Sequence, residues 1–253
     1  MLWSGLMAVT MALSVPAVLP AAEEGVPSAT KETVKPTAAA TVGIFSKYVW
    51  RGLGLSDKSV VIQPSATVEF HGVSMNLWGN LDTDMRDQGA NSLQWNETDM
   101  TLAYGRGFGP VEMGIGYIYY GLDSIPDSQE VFLGLSGDVV LAPTFTVYRE
   151  TSYYPGWYMT FGLSHSFELT SEGASLDLSG SVGYIDVDGD VGYFDNGLVS
   201  LALTLPFGDT FSVSPMVAYS YYLSARAYDV LKEGSVDGDA EHLFGGATAS
   251  LSW

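Results

Sequence analysis

From residue 40 onward, apolar and polar residues alternate with a period of two. That spacing sends successive side chains to opposite faces of a β-strand. Val60, Ile62, Pro64, Ala66, Val68 and Phe70 share one face, with Gln63, Ser65, Thr67, Glu69 and His71 on the other. The next run sets Val73, Met75, Leu77 and Leu81 opposite Ser74, Asn76, Trp78, Asn80, Asp82 and Asp84. Clear runs recur at 111–119, 157–163 and 211–221, and weaker ones at 40–51, 97–106, 130–140, 143–150, 174–186, 198–206 and 242–253. The pattern therefore predicts twelve strands.

The connections alternate in length. Tight turns are expected at His71-Gly72, Gly107–Pro110, Ala142-Pro143, Ser171–Gly173 and Phe207–Asp209. Longer, acidic loops are expected at 52–59, 85–96, 122–129, 151–156, 187–197 and 223–241. An even strand count with short turns at one end and long loops at the other predicts an all-β fold: a twelve-stranded antiparallel transmembrane barrel, an up-and-down meander over 40–253.

A soluble barrel also alternates, so the placement of aromatic residues matters. Outward parity near the long-loop end includes Tyr48, Trp50, Tyr117, Tyr119, Trp157, Tyr219 and Tyr221. Near the short-turn end it includes Phe70, Phe167, Phe211 and Trp253. Ten residues separate the rings within a strand, about 34 Å at ~3.4 Å per residue. A tilt of about 40° projects this to roughly 26 Å, matching an apolar band of about 25 Å. Two such rings of aromatics predict a membrane girdle.

Composition narrows the classes further. The 253 residues carry 10 Lys+Arg against 29 Asp+Glu, a formal charge of −19. The acidic balance argues against nucleic acid, whose phosphates would be repelled. Only 15% of residues are charged while 47% are hydrophobic, which excludes disorder. Without cysteine there is no disulfide scaffold, thiolate zinc site or lipid anchor on Cys.

Residues 1–22 are uncharged and apolar, close on Ala21-Ala22 before Glu23-Glu24, and read as a secretory signal peptide, although a basic start is missing. Residues 23–39 lack periodicity and read as a periplasmic tether. At the other end, Leu243, Gly245, Ala247, Ala249, Leu251 and Trp253 hold one parity. This resembles the terminal strand of bacterial outer-membrane proteins, which implies delivery to the barrel-assembly machinery through the Trp253 strand. Both termini then fall on the periplasmic side, with lipid and lipopolysaccharide as the surroundings.

The stretch Phe45-Ser46-Lys47-Tyr48-Val49-Trp50-Arg51-Gly52, followed by Ser59–Pro64 and by Asn76–Asp82, resembles the opening of the TorF-like porin family. Such chains begin with an aromatic Y-V-(F/W)-R-G strand, then a proline-bearing strand and a small-Trp-Gly strand. The resemblance covers the first part of the barrel and carries over Tyr48, Trp50, Arg51 and Gly52. It implies an outer-membrane pore.

Candidate chemistry elsewhere is sparse. His165 has Leu163 and Phe167 at the same-face positions, His71 lies in a turn, and His242 has Phe244 at that spacing, so no strand presents a catalytic Ser/His pair. Asp186-Val-Asp188-Gly-Asp190 starts like a calcium loop but has Val191 and Gly197 where Gly and Glu are needed. Gly105-Arg-Gly107-Phe-Gly109 lies between strands and fits a turn better than a phosphate site. No catalytic residue, metal ligand or cofactor motif is therefore expected.

The inward face is the remaining chemistry. Glu69, Asp82, Asp84, Asp99, Glu112, Glu168 and Asp177 fall on it, with Lys47 and Arg51 as the clear inward cations. Small residues such as Ser74, Gly114, Thr160, Ser179 and Ser212 leave room for water. Asp87, Asp123, Asp127, Asp188, Asp195, Asp237 and Asp239 are expected around the mouth. The expected function is a narrow channel for passive diffusion of small hydrophilic solutes, preferring cations. A lipid-modifying barrel enzyme and a non-conducting structural or adhesive barrel are the alternatives.

Overall fold

The computed structural model describes residues 35–85, 93–123, 125–153 and 155–253. The signal peptide, the first part of the tether and Asp87 lie outside these residues. The first strand, β1, spans Thr37–Phe45 and is followed by a two-rung hairpin, β2 (Val49–Trp50) and β3 (Leu53–Gly54). The wall continues with β4 (Val61–Phe70), β5 (Val73–Asp82), β6 (Gln94–Phe108), β7 (Val111–Leu122), β8 (Ser128–Gly137) and β9 (Thr144–Glu150). It is completed by β10 (Gly156–Glu168), β11 (Ser175–Val187), β12 (Tyr193–Phe207), β13 (Phe211–Tyr222) and β14 (His242–Ser252). A helix, α1 (Ala225–Gly234), lies in the last long loop.

Strand β1 and strands β4 to β14 form a closed barrel of twelve strands, each antiparallel to its neighbours. The expected fold is the observed one. Closure is made by β1 on β14, from Ala39 opposite Ser252 to Phe45 opposite Gly246. The rim adds reciprocal backbone bonds between Ala38 and Trp253, each 3.0 Å. At the other end of the seam Phe45 turns its ring back over β1. A Cβ on Gly43 would lie 2.3 Å from that ring, so only glycine fits beneath it.

The segment expected as a strand over 40–51 leaves the wall at Phe45 and turns inward. Ser46 still reaches β14, accepting from the Gly245 amide at 3.1 Å and donating to the Gly245 carbonyl at 2.9 Å. Beyond it, the Tyr48 amide donates to Ser56 Oγ at 2.9 Å and the Leu55 amide to the Tyr48 carbonyl at 2.8 Å. These bonds satisfy the backbone of a hairpin that no longer belongs to the sheet. Tyr48 and Trp50, expected in the outer girdle, are 6% and 0% exposed inside the barrel. Strand parity had been carried through Ser46, where the strand ends.

The 223–241 loop, expected to be irregular, contains α1. Ser224 caps it, accepting from the Ala227 amide at 3.1 Å, and Ala227 and Leu231, four residues apart, are its buried face. That face lies against the hairpin: a Cβ on Gly52 would sit 2.9 Å from Leu231 Cδ1. The helix and the hairpin thus cover the long-loop end together.

The outer surface has the opposite character. Val68, Leu77, Leu102, Ile115, Leu133, Phe161, Leu178, Leu201 and Val217 are all exposed on the wall's outer face. Girdle residues Tyr117, Tyr119, Trp157, Phe167, Phe211, Tyr219, Tyr221 and Trp253 fall on the same side by parity. Trp157 lies under the Arg149 guanidinium at 5.1 Å, and Tyr219 stacks on Tyr221 at 5.8 Å. An apolar surface that encircles a whole molecule is suited to lipid rather than water.

The barrel should require detergent, give β-dominated circular dichroism and migrate faster on a gel unheated than heated. Leu133→Arg, at mid-wall on the outer face, should destabilise it by about 2–4 kcal/mol in urea titrations from bilayers. Solubility without detergent, or an effect of Leu133→Arg within error, would contradict this reading.

Candidate functional site in the barrel lumen

The hairpin tip is the turn Trp50-Arg51-Gly52-Leu53, with positive φ at both central residues, 43° at Arg51 and 88° at Gly52. Such turns favour Asn or Gly at the first of these positions. An arginine there carries a backbone cost of order 1–3 kcal/mol, which its side chain must offset.

The guanidinium does so against the wall. Arg51 donates from Nη1 to Glu130 Oε1 at 2.9 Å and from Nη2 to Oε2 at 2.8 Å. Glu130 is held in turn by the Tyr120 hydroxyl, which donates to Oε2 at 2.8 Å. The guanidinium carbon lies 4.0 Å from the Tyr158 ring centroid, 4.7 Å from that of Tyr148 and 4.8 Å from that of Trp50. Glu130 is 1% and Arg51 6% exposed, so both charges are out of water and depend on each other.

Further carboxylates surround this pair. Asp82, Glu97, Asp99, Glu150 and Asp195 are all 3% exposed or less. Tyr48 donates to Glu97 at 3.1 Å, and Ser128 and Ser152 to Glu150 at 3.0 and 2.6 Å. Among the described residues Arg51 is the buried cation of this zone.

A second knot fastens the hairpin to the last loop. Lys47 pairs with Asp237. The Gly54 amide donates to Ser235 Oγ at 3.0 Å, and the Val236 amide to the Gly54 carbonyl at 2.8 Å. His242 stands between Ser235 and Asp237, with Nε2 at 3.4 Å and Nδ1 at 3.5 Å from their oxygens. Ser, His and Asp in that order suggest a nucleophile, but the packing does not. His242 is 2% exposed, and a Cβ on Gly54 would lie 2.7 Å from its ring. The trio belongs to one stretch of the last loop, and the hairpin packs directly against it.

Below the hairpin a cavity of about 670 Å³ runs along the lumen to the short-turn end. Its inner end is lined by Tyr48, Arg51, Trp78, Tyr148 and Tyr158, and its outer part by Glu69, Ser74, Glu112, Ser136, Thr144 and Ser179. Asn76 donates to Ser65 and Thr67 at 2.8 Å each, which keeps that wall hydrogen-bonded across strands.

The structure separates the expected lumen residues into groups. Glu69 and Glu112 line the cavity, whereas Asp82 and Asp99 are buried at the closed end. Asp177 sits lower, accepting from Ser166, Ser175 and Thr204 at 2.5–3.1 Å. Asp84 lies beyond β5, its amide bonded to Asp82 at 2.9 Å, and Glu168 is exposed at the end of β10. Lys47 lines the cavity and also pairs with Asp237 in the loop knot. Asp195, expected at the mouth, points inward from β12 and is 3% exposed.

Glu97, Glu130 and Glu150 were not singled out from the sequence. Their signal was inward parity at the long-loop ends of β6, β8 and β9. The calcium-like run disperses: Asp188 accepts from Arg149 at 2.6 and 2.5 Å, and Asp190 pairs with Arg226 of α1. The Arg226 bond holds the Asp190 carboxyl below the usual carboxylate range, helped by the Val191 amide.

Several solved structures are similar to the chain. OmpTdeltaL8, a loop L8 deletion mutant of OmpT, an outer membrane protein of Vibrio cholerae, matches at 8% identity and a TM-score of 0.41 over 87% of this chain and 99% of that one. A bacterial polysaccharide outer membrane secretin matches at 9% identity and a TM-score of 0.45, over 86% and 98%. An anion-selective porin from Comamonas acidovorans matches at 9% and 0.32, over 87% and 98%. No family model matches the chain, and no curated protein matches it.

Two expectations follow. Glu130→Ala strands the Arg51 charge and should cost about 3–5 kcal/mol in urea unfolding. Arg51→Met combined with Glu130→Leu should cost less, and a double loss equal to the sum of the single losses would show no coupling. For Asp190, a lowered carboxyl means its contribution is complete above the ordinary carboxylate range and is lost as pH falls through the lowered value. Protection factors in α1, taken against the intrinsic exchange rate at each pH, should therefore fall on acidification through that range, and Asp190→Asn should abolish that fall.

Proposed function

We propose that this chain is an outer-membrane channel for passive diffusion of small hydrophilic solutes, preferring cations, with the β2–β3 hairpin as its constriction. The observation that supports it is a cavity of about 670 Å³ whose outer part is lined by Glu69, Ser74, Glu112, Ser136, Thr144 and Ser179, inside a wall whose outside is apolar. A barrel that needed only to fill itself would carry large side chains inward along its whole length, as Tyr120, Phe132, Tyr148 and Tyr158 do toward the long-loop end. The short-turn end then faces the periplasm, lipid and lipopolysaccharide contact the outer face, and Trp253 belongs to the assembly signal. The TorF-like resemblance of Tyr48, Trp50, Arg51 and Gly52 fits the same reading, with those residues in the constriction.

The cation preference rests on field strength. Glu69 and Glu112 line the cavity as carboxylates, while its cations Arg51 and Lys47 are already paired with Glu130 and Asp237. Several mouth carboxylates are already engaged, Asp127 by Tyr119, Asp123 by Gln94 and Asp237 by Lys47. Solvent at ordinary salt screens what remains beyond about 8 Å. The lumen therefore sets the selectivity. No catalytic role is proposed for the histidines: His71 packs on Phe70 at 4.1 Å, His165 on Phe167 at 4.5 Å, and His242 is part of the loop knot.

Planar-bilayer recording across a salt gradient tests this. The reversal potential should lie on the cation side and shift toward zero in Asp82→Asn with Glu112→Gln. Deleting residues 49–54 should raise the conductance. An anion-selective current defeats the charge argument, and no current from folded protein favours a structural barrel.

A further inference from the structure

The Arg51 site is built almost entirely by the barrel wall, and the hairpin only fills it. Tyr120, Glu130, Tyr148 and Tyr158 come from four consecutive strands, β7 to β10. Ladder pairing fixes them without reference to the hairpin: Tyr120 pairs with Ser128, two residues from Glu130, and Tyr148 lies opposite Tyr158. Together they offer a carboxylate with both oxygens presented, a hydroxyl that orients it, and two ring faces. This set recognises a planar, forked cation, through paired N–H donors and stacking. A compact ion such as sodium satisfies neither feature.

The cavity reaches this place from the short-turn side, since Arg51, Tyr148 and Tyr158 all line it. The occupant is held at a cost, because Arg51 is left-handed at the turn tip.

We propose that the wall site now filled by Arg51 is a recognition site for guanidinium-bearing small solutes, which displace Arg51 and thereby release the hairpin from the lumen. The protein would then be a channel opened by its own class of solute. This deepens the channel reading and rests on it for the opening step, whereas the binding step can be measured alone.

Ethylguanidinium is the probe and ethylammonium, of equal charge, its control. In detergent, the melting temperature of Arg51→Ala should rise saturably with ethylguanidinium and not with ethylammonium, and the rise should vanish in Arg51→Ala with Glu130→Gln. Equal shifts from both ions, a shift that survives Glu130→Gln, or no shift overturns the site. Should Arg51→Ala not fold alone, refolding in ethylguanidinium decides: recovery of the heat-modifiable band with this ion only supports the site, and failure to recover overturns it. In bilayers, ethylguanidinium should raise wild-type conductance severalfold over ethylammonium, with no such ratio in Glu130→Gln. A ratio of one in a conducting wild type overturns the displacement step. A wild type that never conducts overturns displacement and the channel reading alike, while the melting data still judge the site.

Discussion

Everything in this molecule depends on β1 finding β14. Without that seam the sheet has two open edges, each a row of unpaired backbone donors and acceptors, which no apolar surroundings can satisfy. With it, every wall strand has two partners, and side chains are sorted by parity alone. Most leucine and valine go outward while serine, threonine and glycine go inward, and Tyr120, Phe132, Tyr148 and Tyr158 turn inward toward the long-loop end. Closure and alternation are common to soluble barrels; the inversion lies in which residue types the sequence places on each parity.

Closure leaves a problem inside. A wall lined with small polar residues cannot fill a twelve-stranded lumen, and the acidic residues at the long-loop ends would repel one another. The hairpin answers both needs with one side chain. Arg51 neutralises Glu130, occupies the rings of Tyr148 and Tyr158, and brings Trp50 with it as filler. Helix α1 seals the arrangement through Leu231 over Gly52, and the Lys47–Asp237 pair adds a fastening at the edge. The closed end is thus an assembly of two loops, whereas the other end remains a polar cavity.

The wall was readable because its rule is local. Val68 and Glu69 face opposite ways for a reason contained in two residues, and the count of strands follows. The hairpin was not readable because its reason is remote. Tyr48, Trp50 and Arg51 continue a plausible alternation, and nothing before residue 60 announces that Glu130 is waiting on another strand. Glu130, Glu150 and Asp195 could have been found by extending inward parity to the strand ends, where they had been assigned to loops or passed over. Helix α1 left a clearer trace, Ser224 followed by Ala227 and Leu231 at helical spacing, inside a segment whose acidic residues suggested an irregular loop.

The hairpin's bonds also bear on the order of assembly. Arg51 waits for a partner 79 residues ahead, and Gly54 for one 181 residues ahead. The hairpin is covalently joined to β1, which forms the seam with β14, and to β4, which pairs with β1 on its other side. Such distant contacts form late, after the intervening loops have been closed. The hairpin hangs from β1, one member of the closing pair, so the strand that seals the wall is also the strand that carries the filling.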